Sequence, residues 1–145
     1  MYDTIQILHS YWAYLVLLIL VLATFNALVK FFGNKEFYNK DLRISLFTLI
    51  VSHIQLILGI VFLLVSPLLT AAKEVGMGEV MKNADLRNSL VEHPITMLLA
   101  IILITIGFSS HKKKQTSKAK FKTIAIFYTI ALILVLAKIP WNTWL

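Results

Sequence analysis

The chain reads as an all-α integral membrane protein, an antiparallel four-helix bundle with both termini on the outer side, and three observations predict this. Hydrophobic residues make up 59% of the 145 and charged residues only 14%, against about a quarter charged in an ordinary soluble domain. The apolar residues gather into four runs, over 7–32, 44–69, 92–110 and 121–139. The basic residues gather in the first and third connections between those runs.

Taken in order, the first run exceeds the ~20 residues that a spanning helix needs. It opens Met-Tyr-Asp, without the basic region of a cleavable leader and with no A-x-A site after it, so it is expected to stay in the protein. The second run is also of full length, and Pro67 marks its end. Ser45, Thr48, Ser52, Gln55, Gly59 and Ser66 share one face of this helix, a stripe suited to packing against neighbours through interhelical hydrogen bonds. The outer loop, 70–91, shows helical spacing at Val75, Met81 and Ala84, broken beforehand by Gly76 and Gly78. The third run opens with Pro94, at home in a first helical turn. This run and the fourth lie nearer the ~17-residue lower limit and reach across with interfacial residues counted.

Charge sets the orientation. Lys30, Lys35, Lys40 and Arg43 flank the first connection, and Lys112, Lys113, Lys114, Lys118, Lys120 and Lys122 crowd the third, against Glu36 and Asp41 alone. Such loops stay cytoplasmic. In the outer loop Lys73, Lys82 and Arg87 are balanced by Glu74, Glu79 and Asp85. A net charge of +7 therefore serves topology and attracts anionic lipid rather than nucleic acid, for which no binding module is present.

With no cysteine in the chain, disulfides, thiolate ligands and thiol catalysis are excluded. No phosphate loop, HExxH or nucleophile elbow occurs, and no catalytic residue is assigned. Attention falls on the four histidines. His9 lies about 31 Å of helical rise from Lys30, and His93 about 28 Å from Lys112, so both belong at one depth near the outer surface. His9 shares a face with Ala13, Ala23 and Ala27, and His93 with Thr96, Met97, Ala100, Ile104 and Gly107. Small residues mark helix contacts in membranes, which points both imidazoles inward.

Two inward histidines at matched depth satisfy axial ligation of a haem iron, with one nitrogen about 2 Å away on each face of the porphyrin. Arg87, Tyr11, Trp12, Trp141 and Trp144 are the candidate partners for its propionates. Each terminal histidine alone is equally an interfacial anchor. A zinc site from His9, His93 and Glu92 has only three ligands in view. His53 falls about 15 Å inward from Arg43, near the midplane, where a polar group needs a partner. A cofactor, a quinone, an internal water, Tyr128 or Thr129 would supply one, with Gln55 beside the same quinone. His111, at the inner rim, is expected to be solvated. Glu92 is a partner for Arg87 or a proton acceptor from a quinol, and it is stabilised at a helix N-terminus in any case.

The blocks Ser52-His53-Ile54-Gln55-Leu56-Ile57-Leu58-Gly59, Arg87 through Glu92-His93 to Gly107, and Lys138-Ile139-Pro140-Trp141 resemble those of small bacterial four-span proteins labelled cytochrome b-like. The resemblance covers nearly the full length and implies a haem-bearing or electron-transfer protein of the bacterial inner membrane. A looser similarity runs to one half of haem A synthase, also a four-helix bundle with intramembrane histidines. This chain has one such half and no outer-loop cysteine pair, so only helix-borne haem ligands carry over.

Two functions follow. One is a b-type membrane cytochrome carrying haem b between His9 and His93 and exchanging electrons with quinol, its site including His53, Gln55 and Arg87. The other is a non-catalytic membrane subunit or assembly factor of a larger complex, with structural histidines. For either, an alkaline phosphatase reporter fused after Leu145 is expected to be active and one inserted within 113–117 inactive. The reverse pattern overturns the orientation.

Overall fold

A computed structural model describes residues 1–144 of the chain, apart from the side chains of Asn142 and Thr143. The helices are α1 (Tyr2–Phe32), α2 (Asn39–Val65), α3 (Pro67–Val75), α4 (Met77–Lys82), α5 (Ala84–Arg87), α6 (His93–His111), α7 (Ser117–Lys138) and the single turn α8 (Trp141–Trp144). A π turn, Asn88–Glu92, joins α5 to α6 without a break. Four segments are long and apolar enough to cross a membrane: Tyr2–Phe32, Asn39–Val65, Ala84–His111 and Ser117–Lys138. Side chains such as Val29, Ile57 and Leu64 point outward with more than 60% of their surface exposed, as a lipid-facing wall requires. The chain is a multi-pass, all-α membrane protein.

Local chemistry sets each boundary. Ser66 leaves the helical region at ψ 133°, and its hydroxyl accepts from the Leu68 amide while Pro67 takes the first position of α3. The second span thus ends at Val65, four residues before the expected Leu69, and the outer loop is mostly short helices. Gly76, at φ +87°, supplies the left-handed break between α3 and α4. Asn83 caps α5 by accepting from the Asp85 and Leu86 amides. Thr116 caps α7 through the Ala119 amide. Pro94 has no N–H to offer the preceding turn, and the widened π turn just before it absorbs that missing bond.

The four spans pack in a ring, α1 against α2, α2 against α6, α6 against α7 and α7 against α1. This places α1 diagonally opposite α6, and α2 opposite α7. The basic half of the bundle is solid. Ala23, Ala27, Ala100, Ala125 and Ala131 let the helices approach around Leu20, Ile104, Phe121 and Ile124, the small-residue packing that membrane helices use. Tyr128 lies in its centre with no exposed surface and crosses the diagonal to donate its hydroxyl to the Ser45 carbonyl at 2.8 Å.

Polar groups close this half. Asp41, 1% exposed, receives Lys30 Nζ at 2.5 Å and Asn26 Nδ2 at 2.9 Å on one oxygen, and the Tyr38 amide at 2.9 Å on the other. A carboxylate in this position is tolerated because a cation and two further donors answer it. The same connection is tied to α7 by the Phe37 amide on Ser117 Oγ and by Lys118 Nζ on Asn34 Oδ1, each at 2.9 Å.

The α6–α7 contact depends on one glycine. A Cβ at Gly107 would stand 2.6 Å from Phe127 Cβ, an atom fixed to the opposing backbone. Gly107→Ala is therefore expected to cost about 1–3 kcal/mol, read as a lowered unfolding temperature in detergent. Unchanged stability would mean the two helices are not held this close.

Candidate functional site

The opposite half of the bundle is hollow. Beyond Leu20 and Ile104 the centre opens into a cavity of about 370 Å³, bounded by α1, α2 and α6 and by the end of α7. That volume lies within the range of small-molecule and cofactor sites. Its deep wall is apolar, from Leu20, Ala100 and Ile104, and its mouth carries Tyr2, Gln6, Ser10, Ser66 and Ser89.

His9 and His93 face one another across this cavity from the diagonal pair of helices. Their ring centres stand 6.4 Å apart and their planes are at 88°. Two imidazoles on opposite sides of one metal, with bonds of about 2 Å to each nitrogen, have ring centres roughly 6–6.5 Å apart.

The orientation of His93 traces to the sequence after α7. Ile139 is extended at ψ 132°, as a residue preceding proline must be, so α7 ends there and its last carbonyls lose their helical donors. One of them, Lys138 O, lies 2.9 Å from His93 Nδ1. A carbonyl only accepts, so Nδ1 carries the proton and Nε2 is left with its lone pair in the neutral ring. His9 is held differently. Its ring packs on Phe62 at 5.4 Å and against bare backbone at Gly59, where a Cβ would meet His9 Cε1 at 3.2 Å. Its carbonyl accepts Gln55 Nε2 at 2.9 Å. Its Nδ1 is buried without a hydrogen-bond partner among the described residues.

These observations suit a haem. The ring separation falls in the range for two ligands of one iron, the Lys138 carbonyl leaves His93 Nε2 free to bind, and His9 keeps a buried nitrogen unsatisfied. Among the described residues no third His, Cys, Asp or Glu joins the pair. A porphyrin fills four iron positions itself and asks the protein for only two, whereas a tetrahedral zinc site asks for more.

Gln55 lines the cavity as expected, with its Oε1 unpartnered, and Ser52 Oγ beside it is likewise buried without a donor among the described residues. The other expected residues lie elsewhere. His53 faces outward and donates Nδ1–H to the Leu49 carbonyl of its own helix at 2.8 Å. That local bond replaces the long-range partner expected from Tyr128 or Thr129, and Tyr128 is committed to Ser45.

Arg87 does not reach the cavity. Its Nη1 donates to the Met81 carbonyl at 2.8 Å, and its Nε lies 3.5 Å from Glu92, which also meets Lys138 Nζ at 3.6 Å. Tyr11 is 71% exposed, Trp12 donates to the Val51 carbonyl and Trp141 to that of Leu136. Only Trp144 of this group lines the cavity, stacked on Tyr14 at 4.5 Å and donating to the Ser10 carbonyl. The mouth residues Gln6 and Ser89 were not anticipated, although each sits one turn before a candidate ligand on the same helical face. His111, expected to be solvated, is fully buried between Phe37 and Phe108, because the 33–38 connection folds over it.

No protein-family model, curated protein or solved structure matches this chain.

The carbonyl contact fixes a tautomer that can be observed directly. A long-range ¹⁵N–¹H spectrum of histidine-labelled protein, recorded without added cofactor, is expected to show His93 with the proton on Nδ1. A proton on Nε2 would contradict the contact with Lys138.

Proposed function

We propose that this chain is a b-type cytochrome of the bacterial inner membrane, with haem b held by His9 and His93 and electrons exchanged with membrane quinol. The observation that carries it is the pair of imidazoles on diagonal helices, 6.4 Å apart and lining one cavity.

Haem b, when bound, supplies reversible one-electron transfer at its iron. The residues provide its setting. His9 and His93 are the residues that would hold the haem, and ligation by two protein imidazoles would suit electron transfer rather than oxygen chemistry. Lys138 O strengthens the His93 nitrogen as a donor by accepting its other proton. Leu20, Ala100 and Ile104 exclude water from the deep end, and the mouth residues Gln6, Ser10 and Ser89 offer polar groups where propionates would emerge. Gln55 Oε1 and Ser52 Oγ, both unpartnered, give a quinol hydroxyl two acceptors to choose from. In this reading the basic ends of the spans lie in the cytoplasm, so the haem stands near the outer surface.

Visible spectra of the purified protein, oxidised and dithionite-reduced, test the assignment. His9→Ala and His93→Ala are each expected to abolish the low-spin α-band, while His53→Ala and His111→Ala leave it in place. A normal low-spin spectrum in the His9→Ala, His93→Ala double variant would end the proposal. A wild-type protein that stays colourless from haem-replete cells would support the non-catalytic subunit instead.

A further inference from the structure

The basic end of the bundle holds a second concavity, lined by Phe37, Tyr38, Asn39, Leu42, His111, Lys112 and Lys120. The His111 ring lies buried beneath it, with Phe37 at 5.4 Å on one side and Phe108 at 4.9 Å on the other. Each of those two phenylalanines carries an ammonium group: Lys120 Nζ lies 5.5 Å from the Phe37 ring centre and Lys112 Nζ 5.1 Å from that of Phe108. Among the described residues neither lysine is paired with a carboxylate. The ion pairs that exist join Lys30 to Asp41, Lys82 to Glu79, and Arg87 and Lys138 to Glu92. The nearby Glu36 accepts from the Tyr38 hydroxyl at 3.1 Å.

His111 supplies the independent sign of a ligand. The residue is 0% exposed, its Nδ1 is engaged by the Phe108 carbonyl, and its Nε2 has no partner among the described residues. A buried polar atom left unmade costs about 1–3 kcal/mol. Because the Phe108 carbonyl only accepts, Nδ1 holds the proton of the neutral ring and Nε2 is an acceptor. The missing partner must therefore present a donor to His111 and negative charge to Lys112 and Lys120 together. Protonated phosphate does both through one group.

We propose that this pocket binds a phosphate monoester group, with its hydroxyl on His111 Nε2 and its charged oxygens drawing Lys112 and Lys120 off the phenylalanine faces. Its place at the ends of the spans suits the headgroup of a phosphatidate-type lipid, and free inorganic phosphate carries the same chemistry. The site is separate from the histidine cavity and does not depend on the haem.

Native mass spectrometry of the detergent-purified protein, with phosphatidic acid or phosphatidylcholine of identical acyl chains, provides the test. The wild type is expected to retain phosphatidic acid under activation that strips phosphatidylcholine. Lys112→Gln with Lys120→Gln should weaken that retention about tenfold or more, and His111→Phe should weaken it severalfold. Lys113→Gln with Lys122→Gln, which removes equal charge outside the pocket, should leave it unchanged. Displacement of the lipid by millimolar phosphate identifies a site open to both sources, and resistance identifies the lipid. Equal loss in both lysine pairs, or no preference for phosphatidic acid in the wild type, overturns the proposal. The lysine pairs decide the matter if His111→Phe fails to fold.

Discussion

Tyr128 reaches from α7 across the middle of the bundle to the Ser45 carbonyl of α2, and in doing so divides the interior in two. A phenol in hydrocarbon has no water to bond, so its hydroxyl must find a protein acceptor. The nearest one on the opposite helix holds that diagonal together. Around it the alanines of α1, α6 and α7 bring backbones close, and Gly107 lets α6 meet Phe127 directly. On the far side no comparable residue among those described spans the centre. Small or slender residues such as Ala13 and Gly59 stand among the cavity-lining positions there, beside the two imidazoles. The cavity is the complement of the Tyr128 crossing.

That division also explains how the polar side chains are distributed. At the solid end Asp41 is answered by Lys30, Asn26 and the Tyr38 amide, which locks the α1–α2 hairpin. At the hollow end His9 Nδ1, Gln55 Oε1 and Ser52 Oγ have no partners among the described residues. Buried groups of this kind are normally satisfied, and a molecule bound in the cavity would relieve these three. Helix geometry reinforces the contrast. Pro94 and the π turn adjust the start of α6 beneath His93, while Pro140 ends α7 where its Lys138 carbonyl meets that ring.

Much of this was legible in the amino-acid order. The four spans followed from apolar length, and the pairing of His9 with His93 followed from equal helical rise to the basic ends and from the small residues sharing their faces. The polar stripe of α2 placed Gln55 and Gly59 inward. Features that depend on competition between partners were not legible. His53 looked too costly for a lipid face, yet a bond to the carbonyl four residues back satisfies it locally. The Arg87–Glu92 pair was among the expected partners and forms at 3.5 Å, while the Met81 carbonyl that also engages Arg87 was not foreseen. His111 looked solvated because its cover, Phe37, comes from a connection whose path is set by distant contacts with Ser117 and Lys118. The helical character of 67–87 was only faintly marked, since glycines and capping residues interrupt its period.

If haem b were held between His9 and His93 with the 88° between their ring planes kept, its ferric spectrum would carry that angle. When two axial rings lie at right angles, neither of the iron d orbitals that they engage is favoured over the other. The two stay nearly equal in energy, and the ferric low-spin signal becomes strongly anisotropic. Electron paramagnetic resonance of the oxidised, purified protein at liquid-helium temperature should therefore show one low-spin ferric species with a large, isolated low-field feature. A protein from haem-replete cells that gives no low-spin ferric signal, or only the signal of a high-spin iron with one axial position open, would contradict ligation by His9 and His93.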